Sequence, residues 1–199
     1  YYGLTTWVDD TVGRLMANLQ AHGLAEDTIV VFASDHGDNL GSHHAFNKGL
    51  LIEESIRVPL IFWGGLAPQA NTAQVAQLID IMPTLLDQCG AKVPNTVQGR
   101  TLGPILRGER ETLDKNGAFI ETSQGAVGLR TPDHLYGMQL EKDLRTISNS
   151  GKCLYDLAAD PYEQRNLAGD ANPGLEADFA QQLEQWNAQT PWLGEQNAG

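Results

Sequence analysis

Apolar side chains recur at three- and four-residue intervals over residues 4–19, and this spacing predicts an amphipathic helix that stops before Gly23. Two continuous apolar runs follow, at residues 28–33 and 57–63, and the second ends at Gly64-Gly65. Neither run alternates with polar residues. We therefore expect two strands buried on both faces, as in a parallel sheet.

A second helix is predicted over residues 80–87, with Asp80 as its N-cap, Pro83 in its first turn and Gly90 as its stop. Helices and strands alternate in this part of the chain. Such alternation predicts an α/β fold, in which part of a mostly parallel sheet is flanked by helices.

The pattern changes after about residue 110, where short candidate strands are separated by turn residues. They occupy residues 117–121, 126–129, 134–138 and 153–157. Their spacing predicts a small antiparallel sheet, and a closing helix is predicted over residues 175–186. We divide the chain into part of an α/β domain at residues 1–110, a small α+β subdomain at 111–190 and a tail at 191–199.

Charge and hydropathy exclude several classes of partner. The chain has 13 basic and 25 acidic residues, for a formal net charge of −12. This field repels phosphate, so we expect neither nucleic acid nor an anionic membrane surface as a partner. No stretch approaches the roughly 20 apolar residues that span a bilayer. A small anionic substrate stays compatible with the sequence if its pocket is locally basic.

The two cysteines, Cys89 and Cys153, are too few for a disulfide scaffold and too far apart for a CxxC motif. They could form one bridge, but we expect two buried free thiols.

Histidines and acids cluster directly after the first predicted strand. They are His36, His43 and His44, with Asp35, Asp38 and Lys48. In open α/β sheets, ligands bind outside the carboxyl ends of the strands, so this position favours a functional site. The alternative is an ordinary polar turn or helix cap at a strand end, and the pattern alone is compatible with both.

Asp35 and His36 offer a carboxylate oxygen and an imidazole nitrogen, which suit a divalent cation. Gly37 and Gly41 would let the backbone turn tightly enough to bring both side chains to one centre. Lys48 is a flexible cation that could reach an anionic group held on that metal.

Residues 34–43, together with Lys48 at 13 positions after Asp35, resemble the second metal-binding motif of sulfatases, a family of the alkaline-phosphatase superfamily. Other segments that resemble the family follow in its order. They are residues 2–35, 57–61, 80–86, 98–102, 154–157, 160–163 and 166–168. The resemblance covers the chain from Tyr2 to about Ala168 and identifies residues 1–110 as the C-terminal part of a sulfatase-like catalytic domain.

The resemblance implies that Asp35 and His36 are metal ligands. It implies that Lys48 is catalytic and substrate-binding, because it would contact the sulfate oxygens and stabilise charge on the leaving oxygen. It also places His43 near the site as a catalytic residue. The implied metal is Ca²⁺, although an imidazole ligand would equally accept Mn²⁺ or another transition ion.

Other parts of the resemblance are interpreted as structural. Asp80 is assigned as a helix cap and Arg57 as a strand-edge charge. We expect the segment at residues 154–168 to pack the small sheet on the main one.

Two parts of the family's active site have no counterpart here. Sulfatases oxidise the Cys or Ser of a Cys/Ser-x-Pro-x-Arg motif to a formylglycine nucleophile, and neither Cys89 nor Cys153 lies in that motif. The N-terminal aspartate pair of the metal site is also missing, since Asp9 and Asp10 fall on the first predicted helix. We therefore expect the C-terminal half of a sulfatase, which starts partway through a longer protein and needs the N-terminal half of the same protein for activity.

The first hypothesis is metal-dependent hydrolysis of a small anionic sulfate ester. A phosphonate or phosphate mono- or diesterase of the same superfamily is the second, because tetrahedral sulfate and phosphate groups need similar charges around them. A non-catalytic fragment or remnant is the third, and it predicts exposed apolar surface. The sequence does not indicate a cellular compartment.

Overall fold

The computed structural model describes residues 1–64, 71–148, 150–170 and 173–190. The predictions for Gly65 and for the tail at 191–199 lie outside these ranges. Among the described helices, none is both long and apolar enough to cross a membrane.

The first predicted helix is present as α1, Tyr2–Ala21. It extends two residues beyond the apolar pattern at each end and is followed by Gly23 in the left-handed conformation, at φ 67°. None of its residues is buried, and Trp7 and Leu15 are 67% and 51% exposed. Its apolar stripe therefore has no covering partner among the described residues.

The two apolar runs form β1, Val30–Ala33, and β2, Leu60–Trp63. They pair antiparallel, with Val30 opposite Trp63, so the expected parallel arrangement is wrong for this pair. Burial on both faces is also wrong, since Phe32 and Ile61 are exposed. An apolar run indicates that a strand seeks burial, but it specifies neither the direction of the neighbouring strand nor what covers it.

Three short helices follow β1, the first of them before β2 and the other two between β2 and the small sheet. They are α2, Glu53–Ile56; α3, Ile81–Gln88; and α4, Gly103–Leu106. Single 3₁₀ turns lie at Ala25–Asp27, Ser42–His44 and Leu78–Asp80. Arg57 follows α2 and precedes β2, and its guanidinium lies 3.7 Å from the Glu53 carboxylate. Its charge therefore lies against the helix.

Asp80 takes the predicted N-cap position of α3, but its side chain makes no capping hydrogen bond to that helix. It is fully buried instead. Its carboxylate accepts hydrogen bonds from the backbone N–H of Gln77 at 3.0 Å and of Arg100 at 2.9 Å, and from the Arg100 guanidinium at 3.4 Å. Arg100 also donates to the carbonyl groups of Val75 and Gly117. Asp80 therefore has a structural role that joins three separate segments.

The small antiparallel sheet is present as predicted. Its strands are β3, Ala118–Glu121; β4, Ala126–Arg130; β5, His134–Gln139; and β6, Cys153–Asp156. They lie in sequence order and all neighbours pair antiparallel. The closing helix α5, Pro173–Gln189, packs on one face of this sheet, where its Phe179 and Leu183 are buried against β4, β5 and β6.

The other face of the sheet receives Leu51, which is 8% exposed. Gly128 and Gly137 lie opposite each other on β4 and β5. A Cβ atom at Gly128 would come within 2.7 Å of the Leu51 side chain, and one at Gly137 within 2.1 Å. Because both positions lack a side chain, Leu51 can sit directly on the sheet, and the segment before α2 is docked there.

Both cysteines are free thiols. Cys153 lies partly buried in β6, and loss of solvation raises the pKa of its thiol to about 11. Cys89 is exposed, so the expectation of two buried thiols is wrong for it.

Candidate active site

Asp35 and His36 stand directly after β1, at the start of a polar loop, and the structure brings them together. His36 Nε2 lies 3.4 Å from Asp35 Oδ2. Two ligands at right angles around one ion, with bonds of about 2.4 Å, are separated by about 3.4 Å. The pair therefore has the spacing of neighbouring ligands on one cation.

Local hydrogen bonds set the orientation of this pair. The backbone N–H of His36 donates to Asp35 Oδ1 at 3.0 Å, and His36 Nδ1 lies 2.9 Å from the carbonyl oxygen of Gly37. A carbonyl oxygen only accepts, so Nδ1 carries a proton, and in the neutral imidazole the lone pair is then on Nε2. This is how proteins commonly hold a histidine that binds a metal.

The donor set of this pair suits a divalent cation, but it amounts to part of a coordination shell. The side chains are 84% and 42% exposed, and within the described ranges no third carboxylate or imidazole joins Asp35 and His36. Protein-bound Ca²⁺ has six to eight oxygen-type ligands and Zn²⁺ four. Asp35 and His36 thus provide two side-chain ligands of such a shell.

The loop is held on α2 through Ser55. The backbone N–H of Gly37 donates to the Ser55 carbonyl oxygen at 2.9 Å, and Ser55 Oγ accepts from the backbone N–H of Gly49 at 3.0 Å. A Cβ atom at Gly37 would lie 1.9 Å from the backbone oxygen of Glu54. Only glycine permits this approach, which places the Asp35–His36 pair at one end of α2.

Lys48 lies at the far end of the same loop and is exposed. Its carbonyl oxygen accepts a hydrogen bond from the Gln124 side chain at 3.5 Å. Over the described part of the chain, its ammonium group forms no ion pair and is not in contact with Asp35 or His36. The roles predicted for Asp35, His36 and Lys48 thus stay predictions, with the first two side chains together and the third free to extend.

His43 lies in a different cluster. Its Nε2 atom is 3.8 Å from Glu54 Oε2, and ligand atoms of His43, Glu54 and Glu163 lie within 4.8 Å of one another. His44 is exposed. The catalytic role predicted for His43 is untested by this geometry, which shows only that its imidazole faces these two glutamates.

Sequence reasoning missed both glutamates. Glu163 lies in the segment that resembles the family's C-terminal signature, three residues after Asp160. That resemblance was the signal in the sequence that could have drawn attention to it. It is 2% exposed, and its Oε2 atom accepts the backbone N–H of Glu53 at 2.8 Å. Burial, and next the carboxylates of Glu53 and Glu54, raise the pKa of Glu163 to about 7.

Helix α2 thus connects the polar loop with the C-terminal region. The Glu53 carboxylate accepts two hydrogen bonds from the Arg130 guanidinium on β4, at 3.1 and 3.0 Å. Such paired bonds restrain orientation as well as distance. Together with the Glu163 contact, they join α2 both to the small sheet and to the segment at residues 154–168. The expectation that this segment packs the small sheet on the main one stays a prediction.

This chain is similar in sequence to a known protein family and to individual characterised proteins. The family model described as Sulfatase matches residues 1–91. The multifunctional alkaline phosphatase superfamily protein PehA of Trinickia caryophylli is 32% identical over 94% of this chain and 39% of its own length. The arylsulfatase of Clostridium perfringens is 34% identical over 84% of this chain and 35% of its own.

Solved structures of other proteins superpose on this chain. A protein in complex with its substrate D-glucosamine-2-N,6-O-disulfate superposes with a TM-score of 0.80 at 29% identity, over 96% of this chain and 39% of that one. The phosphonate monoester hydrolase of Agrobacterium radiobacter gives a TM-score of 0.77 at 27% identity, over 95% and 40%.

The fold is therefore that of an α/β protein of the alkaline-phosphatase type, and the predicted fold class is confirmed. Within that superfamily, the chain belongs to the sulfatase family. It spans between about a third and two fifths of the length of the curated relatives it matches.

Proposed function

We propose that this chain is the C-terminal part of a sulfatase and that the whole protein hydrolyses a sulfate ester in a metal-dependent reaction. The observation that carries this proposal is the Asp35–His36 pair, whose ligand atoms lie 3.4 Å apart in the loop after β1. The division at about residue 110 is part of the proposal. Residues 1–110 then belong to the catalytic domain, 111–190 to a supporting subdomain and 191–199 to a tail.

In this proposal Asp35 and His36 hold one side of the metal, which is Ca²⁺ or, given the imidazole ligand, Mn²⁺. A bound dication would withdraw charge from a sulfate oxygen and help to orient the ester. The formylglycine nucleophile and the other ligands come from the N-terminal half of the same protein. Hydrogen bonding of His36 Nδ1 to Gly37 keeps Nε2 available to the metal, and the Gly37–Ser55 bond keeps the pair in position.

Lys48 supplies a positive charge to the substrate. Its backbone is restrained by two hydrogen bonds: the N–H of the next residue, Gly49, donates to Ser55 Oγ, and the Lys48 carbonyl oxygen accepts from the Gln124 side chain. Its side chain is exposed. An ammonium group on a flexible stem can follow the sulfate oxygens and stabilise charge on the leaving oxygen as the ester bond breaks.

Lys48→Ala in the whole protein should lower kcat/KM for a sulfate ester by on the order of 10²-fold or more, as for loss of one charge-stabilising donor. Lys92→Ala is the matched control, because Lys92 is also exposed and lies outside the loop. The measurement is steady-state hydrolysis of 4-nitrophenyl sulfate. A near wild-type rate for Lys48→Ala would show that Lys48 has no such role.

Asp35→Ala should remove the active-site metal, whereas Asp9→Ala should leave it bound, because Asp9 is an exposed residue of α1 and lies outside the polar loop. Elemental analysis of both purified variants checks this expectation. Equal metal content in the two variants would contradict the assignment of Asp35.

Hydrolysis of a phosphonate or phosphate ester is the second candidate. The likeness to the phosphonate monoester hydrolase at a TM-score of 0.77 favours it. Rates on 4-nitrophenyl sulfate, a phenylphosphonate monoester and bis(4-nitrophenyl) phosphate separate the two candidates. A strong preference for either phosphorus ester would reject the sulfatase proposal, and no turnover of any of the three by a metal-loaded whole protein would favour the non-catalytic remnant.

A further inference from the structure

The cluster of His43, Glu54 and Glu163 contains more unpaired polar atoms than a packed interior normally tolerates. His43 Nε2, Glu54 Oε2 and Glu163 Oε1 are all buried, and none has a hydrogen-bond partner among the described residues. Leaving a buried polar atom unpaired costs about 1–3 kcal/mol, and more for a charged group. Three such atoms facing one another indicate that a bound group bridges them.

Neighbouring charges do not supply the bridge. Arg130 and Arg57 both contact the carboxylate of Glu53. Within the described ranges, Glu54 pairs only with His43, at 3.8 Å, and Glu163 has no ion pair. Two carboxylates and one imidazole thus share a partly buried space, and no Lys or Arg of the described residues pairs with Glu54 or Glu163 there.

The backbone is also strained at this cluster. His43 and Glu163 have φ angles of 53° and 51°, in the left-handed region that residues with a Cβ atom rarely adopt. Such conformations cost on the order of 1–3 kcal/mol each and occur where a site requires a particular side-chain direction. Here both strained residues point a ligand atom into the same cluster.

We propose that His43, Glu54 and Glu163 form a second divalent-cation site, separate from the Asp35–His36 pair, which binds Zn²⁺ or a similar transition ion. One imidazole nitrogen and two carboxylate oxygens are typical ligands of such an ion. Their mutual separations of at most 4.8 Å let all three reach one centre if the side chains close in slightly around the ion. Each ligand comes from a different segment: the polar loop, α2 and the C-terminal segment. The ion would therefore clamp the loop that carries Asp35 and His36 to the rest of the fold.

The test uses the whole protein, stripped with chelator and titrated with Zn²⁺, followed by calorimetry and thermal unfolding. Glu163→Gln keeps the shape of the side chain and removes its charge. Substitutions outside the ligand shell already weaken metal sites by about 10–100-fold, so we expect loss of this ligand to weaken Zn²⁺ binding by on the order of 100-fold or more. The Zn²⁺-induced rise in Tm should disappear with it.

Glu141→Gln is the control, because Glu141 is an exposed glutamate outside the cluster. Asp35→Ala keeps this proposal distinct from the proposed function, since it should remove only the active-site metal and leave Zn²⁺ binding at the second site intact. If Glu163→Gln fails to fold, Glu54→Gln provides the same comparison at a less buried ligand.

Co²⁺ gives a third readout. Its visible absorption should appear on titration of the Asp35→Ala protein and change on His43→Gln, because that substitution removes the only nitrogen ligand of the cluster. Unchanged Zn²⁺ affinity in both glutamate variants, or no Zn²⁺ uptake by Asp35→Ala, would overturn the proposal.

Discussion

The region that contains α1, β1 and β2 and the region of the small sheet with α5 bury their apolar residues to very different extents. Helix α1 has no buried residue, and β1 and β2 expose Phe32, Ile61 and Trp63. In the small sheet, every residue of β4 but the last is buried, because α5 covers one face and Leu51 packs on the other. The pattern of apolar residues is thus similar in the two regions, but only the small sheet has a layer that covers it among the described residues.

This difference fits the proposed function. A region that is one part of a larger sheet keeps the apolar stripe that the rest of the domain would cover. A region that contains both its sheet and its covering helix completes its own core. The comparison predicts that equal substitutions will have unequal effects in the two regions.

The largest expected effect concerns leucines on the two long helices. Leu183→Ala on α5 should lower the free energy of unfolding by about 3 kcal/mol, because Leu183 is fully buried and its loss leaves a cavity. Leu15→Ala on α1 should change it by less than about 0.5 kcal/mol in this 199-residue chain, where Leu15 is 51% exposed.

Urea denaturation of both variants, followed by circular dichroism, measures these differences. Comparable losses for the two variants would contradict the comparison. In the whole protein, the proposed function predicts that Leu15→Ala becomes costly, because α1 would then be covered.

The two thiols provide the next test. The pKa of Cys153 is raised to about 11 by burial, two units above its ordinary value of 9.0. At pH 8 its thiolate fraction is therefore about 100-fold below that of an ordinary thiol, and its reaction with a disulfide reagent should be slowed accordingly. Its rate should rise about tenfold per pH unit up to about pH 11, while exposed Cys89 reacts first.

Stopped-flow measurements with Cys89→Ser and Cys153→Ser assign the two phases. Fast reaction of the Cys89→Ser protein at pH 8 would show that β6 opens readily and that the sheet region is less well packed than its burial indicates.

A smaller effect is expected where the loop segment docks on the sheet. Gly128→Ala should cost about 1–3 kcal/mol, because the new methyl group would lie 2.7 Å from the buried Leu51 side chain. Leu51→Val removes volume at that point and should recover part of the loss. A double-mutant cycle by thermal unfolding measures the coupling, and strictly additive effects would show that Leu51 does not pack against Gly128.

Local sequence patterns were sufficient for much of the secondary structure. The spacing of apolar residues predicted α1, and the alternation of short apolar runs with turn residues predicted all four strands of the small sheet. These features depend on neighbours a few residues apart, which a pattern records directly. The pairing of β1 with β2 was missed, because strand direction depends on how the intervening chain folds back.

The candidate site was predictable in part for the same reason. Asp35 and His36 are adjacent in sequence, so their approach to 3.4 Å needs only a tight turn. The cluster around His43 joins residues 43, 54 and 163, and no local pattern relates them. Asp80 illustrates the same limit, since its capping position was readable but its bonds to Arg100 were not.

The sequence by itself determined the family, the helix and strand segments of the small sheet, and the position of the aspartate–histidine pair. Each of these depends on the order and spacing of residues along the chain. Only the tertiary structure decided which apolar faces are covered, that Leu51 sits on two paired glycines, and that His43 turns toward Glu54 and Glu163. Those features join residues from distant segments, and their energies depend on packing and desolvation, which exist only once the chain has folded.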